Sequence, residues 1–187
     1  MHPISAFRFN GYVIVSAEGM LTDVHGVMPE SLKFPGDLAF FSASLDRADL
    51  IVHGKYSFED QPNSPRRARI VLSRSIKTLA TDPVNDKATL WNPAGASFDD
   101  ACNHAGISGG TVAVIGGPVV FEMFFDRFDV FWLSQAPHVH LPDGGPCFPG
   151  VPAETPEQIL FRHGMRASEV EILDAAHDVR VTAWRRV

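Results

Sequence analysis

Apolar residues in this chain fall into short β-branched runs separated by stretches with helical spacing. Tyr12–Ala17 is such a run, and Glu18-Gly19 closes it, which predicts a buried strand followed by a turn. Met20–Phe34 mixes Gly26, Pro29 and scattered polar residues, and it reads as a long loop of the kind that often carries function. Pro35-Gly36-Asp37 then opens a helix, with proline suited to the first turn and a carboxylate facing the positive end of the helix dipole. Leu38, Phe41 and Leu45 continue at helical spacing, and Asp37 and Phe41 share a face. Further strands are predicted at Leu50–His53, Arg69–Ser73, Leu79–Thr81, Thr111–Ile115 and Val130–Gln135. Helices are predicted at Ser97–Ala105, capped by Ser97, and at Val119–Phe125. Val170–Leu173 and Val179–Trp184, on either side of Ala176-His177-Asp178, read as a closing antiparallel hairpin. Strands alternating with helices and ending in a hairpin predict an α/β fold with a mostly parallel mixed sheet.

The chain has 187 residues, one domain's worth, and no linker divides it, so a single domain over 1–187 is expected. With 45% hydrophobic and 20% charged residues it has the composition of a soluble globular protein. A net charge of -6 gives no footprint for nucleic acid or an anionic membrane surface. No apolar run approaches the length that spans a bilayer, and residues 1–12 lack the pattern of a signal peptide, so the expected compartment is the cytoplasm. Cys102 and Cys147 form neither a disulfide framework nor a zinc knuckle. His138 and His140, read as alternating on one strand face, have no third ligand at metal-site spacing, and no metal is expected. Nothing matches a nucleophile elbow, which leaves hydrolysis without support.

Three strand ends carry groups suited to a phosphorylated ligand. Gly116-Gly117 lies between a strand and a helix, where it suits either a tight packing turn or close approach of a phosphate to backbone N–H groups. The surrounding pattern is neither the spaced glycine fingerprint nor a P-loop. Gly54-Lys55-Tyr56-Ser57 and Ser73-Arg74-Ser75 follow two other strands and add cations and hydroxyls. In a parallel sheet such ends gather at the carboxyl edge, where ligands bind. Asp37 reads either as an ordinary first-turn helix acid or as a buried proton donor beside an apolar pocket.

Val13–Gly19, Met28-Pro29 and Leu32 through Phe41 together resemble the N-terminal third of dihydrofolate reductase. The resemblance continues through Leu50–Phe58, Arg67–Ser73, Val114–Gly117 with Phe121-Glu122, and Cys147-Phe148-Pro149. It implies a three-layer dihydrofolate reductase-like fold, NADPH as cofactor and a small-molecule substrate. A homodimer through the sheet edge or the terminal hairpin is compatible with it. Asp37 matches the acid that promotes protonation of the substrate ring, and Ser134 the hydroxyl that supports it. Ile14, Leu38, Phe41 and Ile115 match the ring pocket, and Arg67 matches the arginine that pairs the folate carboxylate. Gly54, Lys55, Tyr56, Ser57, Ser73, Arg74, Gly116, Gly117 and Phe121 match cofactor contacts, with Lys55 and Arg74 favouring the extra phosphate of NADPH. Residues 19–28 correspond to a loop that closes over the nicotinamide.

The chain departs from the pattern at Glu30, Ser64, Pro118 and Gly145, and by an insertion near Lys33-Phe34. The implied activity is hydride transfer from NADPH to a C=N bond of a pteridine or pyrimidine-like ring, dihydrofolate among the candidates. The alternatives are a stand-alone pyrimidine reductase of riboflavin synthesis, whose ribose phosphate Arg66 and Arg67 could serve, and a catalytically weak nucleotide-binding relative.

Overall fold

Parallel strand pairing organises the chain. The structure is a computed structural model that describes residues 6–187. The strands are β1 (Phe7–Val15), β2 (Met20–Thr22), β3 (Leu50–Gly54), β4 (Arg69–Leu72), β5 (Leu79–Thr81), β6 (Ala88–Trp91), β7 (Gly110–Val114), β8 (Phe128–Gln135), β9 (Gly145–Pro146), β10 (Met165–Asp174) and β11 (Val179–Arg186). The helices are α1 (Pro35–Arg47), α2 (Phe98–Ala105), α3 (Pro118–Phe124) and α4 (Pro156–Arg162). Among the described residues, nine strands form one sheet in the order β10-β11-β8-β1-β7-β3-β4-β6-β5. The strands from β8 through β6 in that order run parallel. Antiparallel β11 and β10 extend one side, and β5 closes the other. This is the mostly parallel α/β sheet with a C-terminal hairpin that the sequence predicts.

Strand alternation sorts side chains to two faces. Tyr12, Ile51, Ala113 and Ile115 meet Phe40, Phe41 and Leu45 of α1. On the opposite face, Val13, Leu50, Val52, Val112, Val114 and Leu133 pack with Phe98 of α2, Phe121 and Phe124 of α3, and Ile159 of α4. Helices therefore cover both faces, which is why the central strands read as continuous apolar runs. No helix among the described residues is long and apolar enough to cross a membrane.

Several boundaries differ from the sequence reading. β1 starts at Phe7, because Asn10 and Gly11 break the apolar pattern while their backbone still pairs with Ala113 and Val114. The segment Met20–Phe34 is not a bare loop: β2 pairs with β9, and Glu30–Leu32 forms a 3-10 turn. β6 and α4 were not expected from sequence. β6 is a short strand that completes the parallel row beside β4. α4 carries a capping box between Thr155 and Gln158, a sequence signal for its start. His138 and His140 lie beyond the end of β8 in irregular chain, so they share no strand face.

Arg186 fastens the last strand. Its guanidinium donates to the carbonyls of Phe128 at 2.7 Å, His163 at 2.7 Å and Phe125 at 2.6 Å. The Arg186→Met protein should lose about 1–2 kcal/mol of stability, since hydrogen bonds from a charged donor are replaced by none. A urea midpoint equal to wild type would show that these bonds contribute nothing.

Candidate active site

Asp37 sits in the first turn of α1, after Pro35 at the start of the helix. Gly36 lets that turn press on β10: a side chain there would collide with the Leu173 carbonyl. The close approach turns Asp37 inward, where only 6% of its surface is exposed. Ser134 of β8 is also buried, and its hydroxyl interacts with the carboxylate in the sense that favours the charged form. Ile14 stands directly opposite Ser134 in the β1–β8 register. Phe41, one turn along α1 from Asp37, packs edge-on against Tyr12 in the cluster that includes Ile115. Leu38 is partly exposed on the same first turn. Burial raises the Asp37 pKa to about 6, opposed by the Ser134 hydrogen bond. A carboxyl group with that value, in an apolar wall, can hold or deliver a proton near neutral pH.

The second group of residues lies on neighbouring strand ends. β7, β3 and β4 are adjacent and parallel, so Gly116-Gly117, Gly54–Ser57 and Ser73-Arg74 emerge at one edge. The Gly116-Gly117 peptide is cis, and Gly116 has φ 106°, a backbone conformation that favours glycine. The Gly54 N–H donates to the Gly116 carbonyl at 2.7 Å, which joins the two turns. The Ser57 hydroxyl faces both glycines: it is the nearest atom that a Cβ on Gly117 would meet, at 3.6 Å. Lys55, Tyr56 and Arg74 are exposed, and the Lys55 ammonium lies 5.5 Å from the Tyr56 ring centroid. The Ser73 hydroxyl shares a 2.7 Å hydrogen bond with Ser75. A side chain at Gly116 would press on the Phe121 ring and one at Gly117 would approach the Ser57 hydroxyl, and the cations nearby suit a phosphorylated ligand.

Two expected contacts need correction. Phe121 has no exposed surface; it packs beneath Gly116 against Phe131 and Phe148, so it supports the cradle from behind. Arg67 does not present a free guanidinium. It is buried, donating to Asp46 of α1 at 2.6 Å and to Gln61 at 2.6 Å, with Glu59 at 3.4 Å. An internal carboxylate thus takes the place expected for a substrate's. Arg66 remains exposed. Ser64 is a turn lock, donating to the Glu59 carbonyl at 2.6 Å and accepting from the Gln61 N–H.

Behind the cradle lies a buried polar cluster that sequence reasoning missed. Arg69 pairs with Glu59 through two bonds of 2.6 and 2.7 Å and reaches His53 at 3.0 Å. The signal was present: His53 ends an apolar strand and Arg69 opens another, so both must be buried with partners. The loop 16–22 is tied down as well. Glu18 accepts from the Ser16 hydroxyl and the Leu141 N–H, and these bonds, with His140, outweigh burial and hold its pKa near 2. A cavity of about 390 Å³ opens beside the first turn of α1, lined by Phe34, Pro35, Ala136 and His177 among others, without including Asp37.

No protein-family model and no curated protein matches the sequence. Solved structures do match. A protein described as a riboflavin biosynthesis protein from Shewanella sp. PV-4 aligns with a TM-score of 0.68 at 21% identity, over 96% of this chain and 99% of its own. A diaminohydroxyphosphoribosylaminopyrimidine deaminase/5-amino-6-(5-phosphoribosylamino)uracil reductase from Thermotoga maritima aligns with a TM-score of 0.65 at 15% identity, over 96% of this chain and 56% of its own. Dihydrofolate reductase from Enterococcus faecalis, complexed with NADP(H), aligns with a TM-score of 0.63 at 18% identity, over 96% of both chains. Identities this low, with 96% of this chain aligned in each case, establish architecture: the chain has the dihydrofolate reductase-like fold.

Proposed function

We propose that the protein is an NADPH-dependent reductase that saturates a C=N bond in a pteridine or pyrimidine-like ring. The observation that carries this reading is Asp37, a buried carboxyl with its pKa raised to about 6, supported by Ser134 and set at the same sheet edge as the glycine cradle. NADPH would suit the cradle because Gly54, Gly116 and Gly117 bring backbone without side chains together at this edge, and Lys55 and Arg74 add charge nearby. When bound, that cofactor supplies the hydride. Asp37 then holds the ring through its N–H edge and favours protonation of the ring nitrogen, while Ile14, Phe41 and Ile115 limit water.

Within this class, the closure of Arg67 by Asp46 favours a substrate without an acylglutamate tail over dihydrofolate. A tail carboxylate would have to displace Asp46 from the guanidinium and would meet its negative charge. In wild type, dihydrofolate and a tail-less dihydropterin should therefore differ in KM by less than about threefold. Asp46→Asn should tighten dihydrofolate selectively, by roughly tenfold, as one charge-assisted pairing becomes accessible. Equal effects on both substrates would overturn this reading of Arg67.

Asp37→Asn tests the proton role. Turnover should fall by about 10²–10⁴-fold, with the NADPH dissociation constant changed by less than about threefold. In wild type, kcat/KM should decline as pH rises above about 6, because the protonated fraction of Asp37 is then lost. The same group works against the fold. A carboxyl whose folded pKa is raised stabilises the protein fully below its unfolded value and loses that contribution as pH rises through about 6. Asp37→Asn should thus be more stable than wild type at pH 7.5, by about 3 kcal/mol, and the gain should vanish below about pH 4. Unchanged turnover in this variant would remove Asp37 from the chemistry.

A further inference from the structure

The buried cluster behind the cradle has a direction. Arg69 carries only donors, so His53 Nε2, 3.0 Å from its Nη1, must accept. His53 is then neutral with its proton on Nδ1, and that N–H donates to the Gly54 carbonyl at 2.7 Å. The same carbonyl accepts from the Ser57 N–H at 3.1 Å, and the Gly54 N–H donates to the Gly116 carbonyl. A chain of bonds therefore runs from the Glu59 carboxylate through Arg69 and His53 to the turn whose hydroxyl faces Gly116-Gly117. His53 and Arg69 are each 1% exposed, so water does not compete.

We propose that His53 is a positioning residue for the cofactor cradle, transmitting the fixed geometry of the Glu59–Arg69 pair to the Gly54–Ser57 turn and weakening cofactor binding when it is protonated. This rests on reading that turn as a dinucleotide contact. The charged groups that face the ring are Arg69 from β4 and Glu59 from the β3–β4 connection. Arg67 stands behind Glu59 and carries Asp46 of α1. Phe58 contributes its ring edge, 6.1 Å between centroids. A protonated His53 would point an N–H at the Arg69 guanidinium, donor against donor and cation against cation. Burial lowers the His53 pKa first, Arg69 adds to it, and the Gly54 carbonyl and Glu59 oppose it.

The test titrates NADPH into wild type, His53→Asn and His53→Phe at pH 7.5 and pH 5.5, and records the ring ¹⁵N shifts of His53 in wild type. The shifts should show Nδ1 protonated and Nε2 free at pH 7.5. His53→Asn keeps a donor near the Nδ1 position and cannot ionise. Its affinity should stay within about threefold of wild type at pH 7.5 and gain on it as the pH falls. His53→Phe keeps the ring without the bond and should bind roughly tenfold more weakly at pH 7.5. The cofactor's own phosphates titrate alike in all three proteins, so ratios between proteins isolate His53. Wild-type affinity in His53→Phe overturns the inference alone. Should that variant not fold, an identical pH dependence in His53→Asn and wild type overturns it instead. An Nε2-protonated ring would do the same without any cofactor. Failure of wild type to bind NADPH at pH 7.5 overturns the cofactor reading and this inference with it.

Discussion

Parallel pairing forces the carboxyl ends of β8, β1, β7, β3 and β4 to one edge of the sheet, and the candidate site is assembled from what hangs there. Alternation along those strands adds a second constraint. Ile14 lies beside Ser134 in register, and Ile115 joins the cluster beneath α1. α1 then delivers a carboxylate over Ser134, and Gly36 lets its first turn rest on β10. The site is a consequence of strand direction and one close backbone approach.

Two buried carboxylates show how surroundings divide roles. Glu59 receives two bonds from Arg69 and a longer one from Arg67, and these hold it below the usual carboxylate range despite its burial. Asp37 has the Ser134 hydroxyl and, among the described residues, no paired cation, so burial prevails and its pKa rises to about 6. One group is a fixed charge that orders a turn; the other changes charge near neutrality. The contrast in partners follows the general rule that environments push paired acids apart in function.

Much of this was legible in the sequence, for identifiable reasons. The positions of most long strands followed from β-branched runs, and Pro35-Gly36-Asp37 marked the start of α1 because proline and a first-turn acid satisfy local rules. Gly116-Gly117 and Gly54 stood out because glycine pairs after apolar runs are rare without a turn or close approach. What escaped was anything set by contacts between distant segments. β6 is held by pairing to β4 rather than by its own pattern. Arg67 had the position of a ligand contact, but its ownership by Asp46 depends on where the last turn of α1 falls. The resemblance implied Phe121 as a cofactor contact, but its burial depends on Phe131 and Phe148 arriving from later in the chain.

α1 links the two ends of the site. Its first turn holds Asp37 against Ser134, and its last turn holds Asp46 against Arg67. A helix is stiff over this length, and Phe40, Phe41 and Leu45 between the two acids pack on β1, β3 and β7. A displacement of α1 that freed the Arg67 guanidinium would therefore tend to carry Asp37 away from its hydroxyl. The acid and the closed arginine are coupled through one rigid element. On the proposed function, an anionic substrate tail that competed for Arg67 would also disturb Asp37, whereas a compact ring would leave both interactions in place.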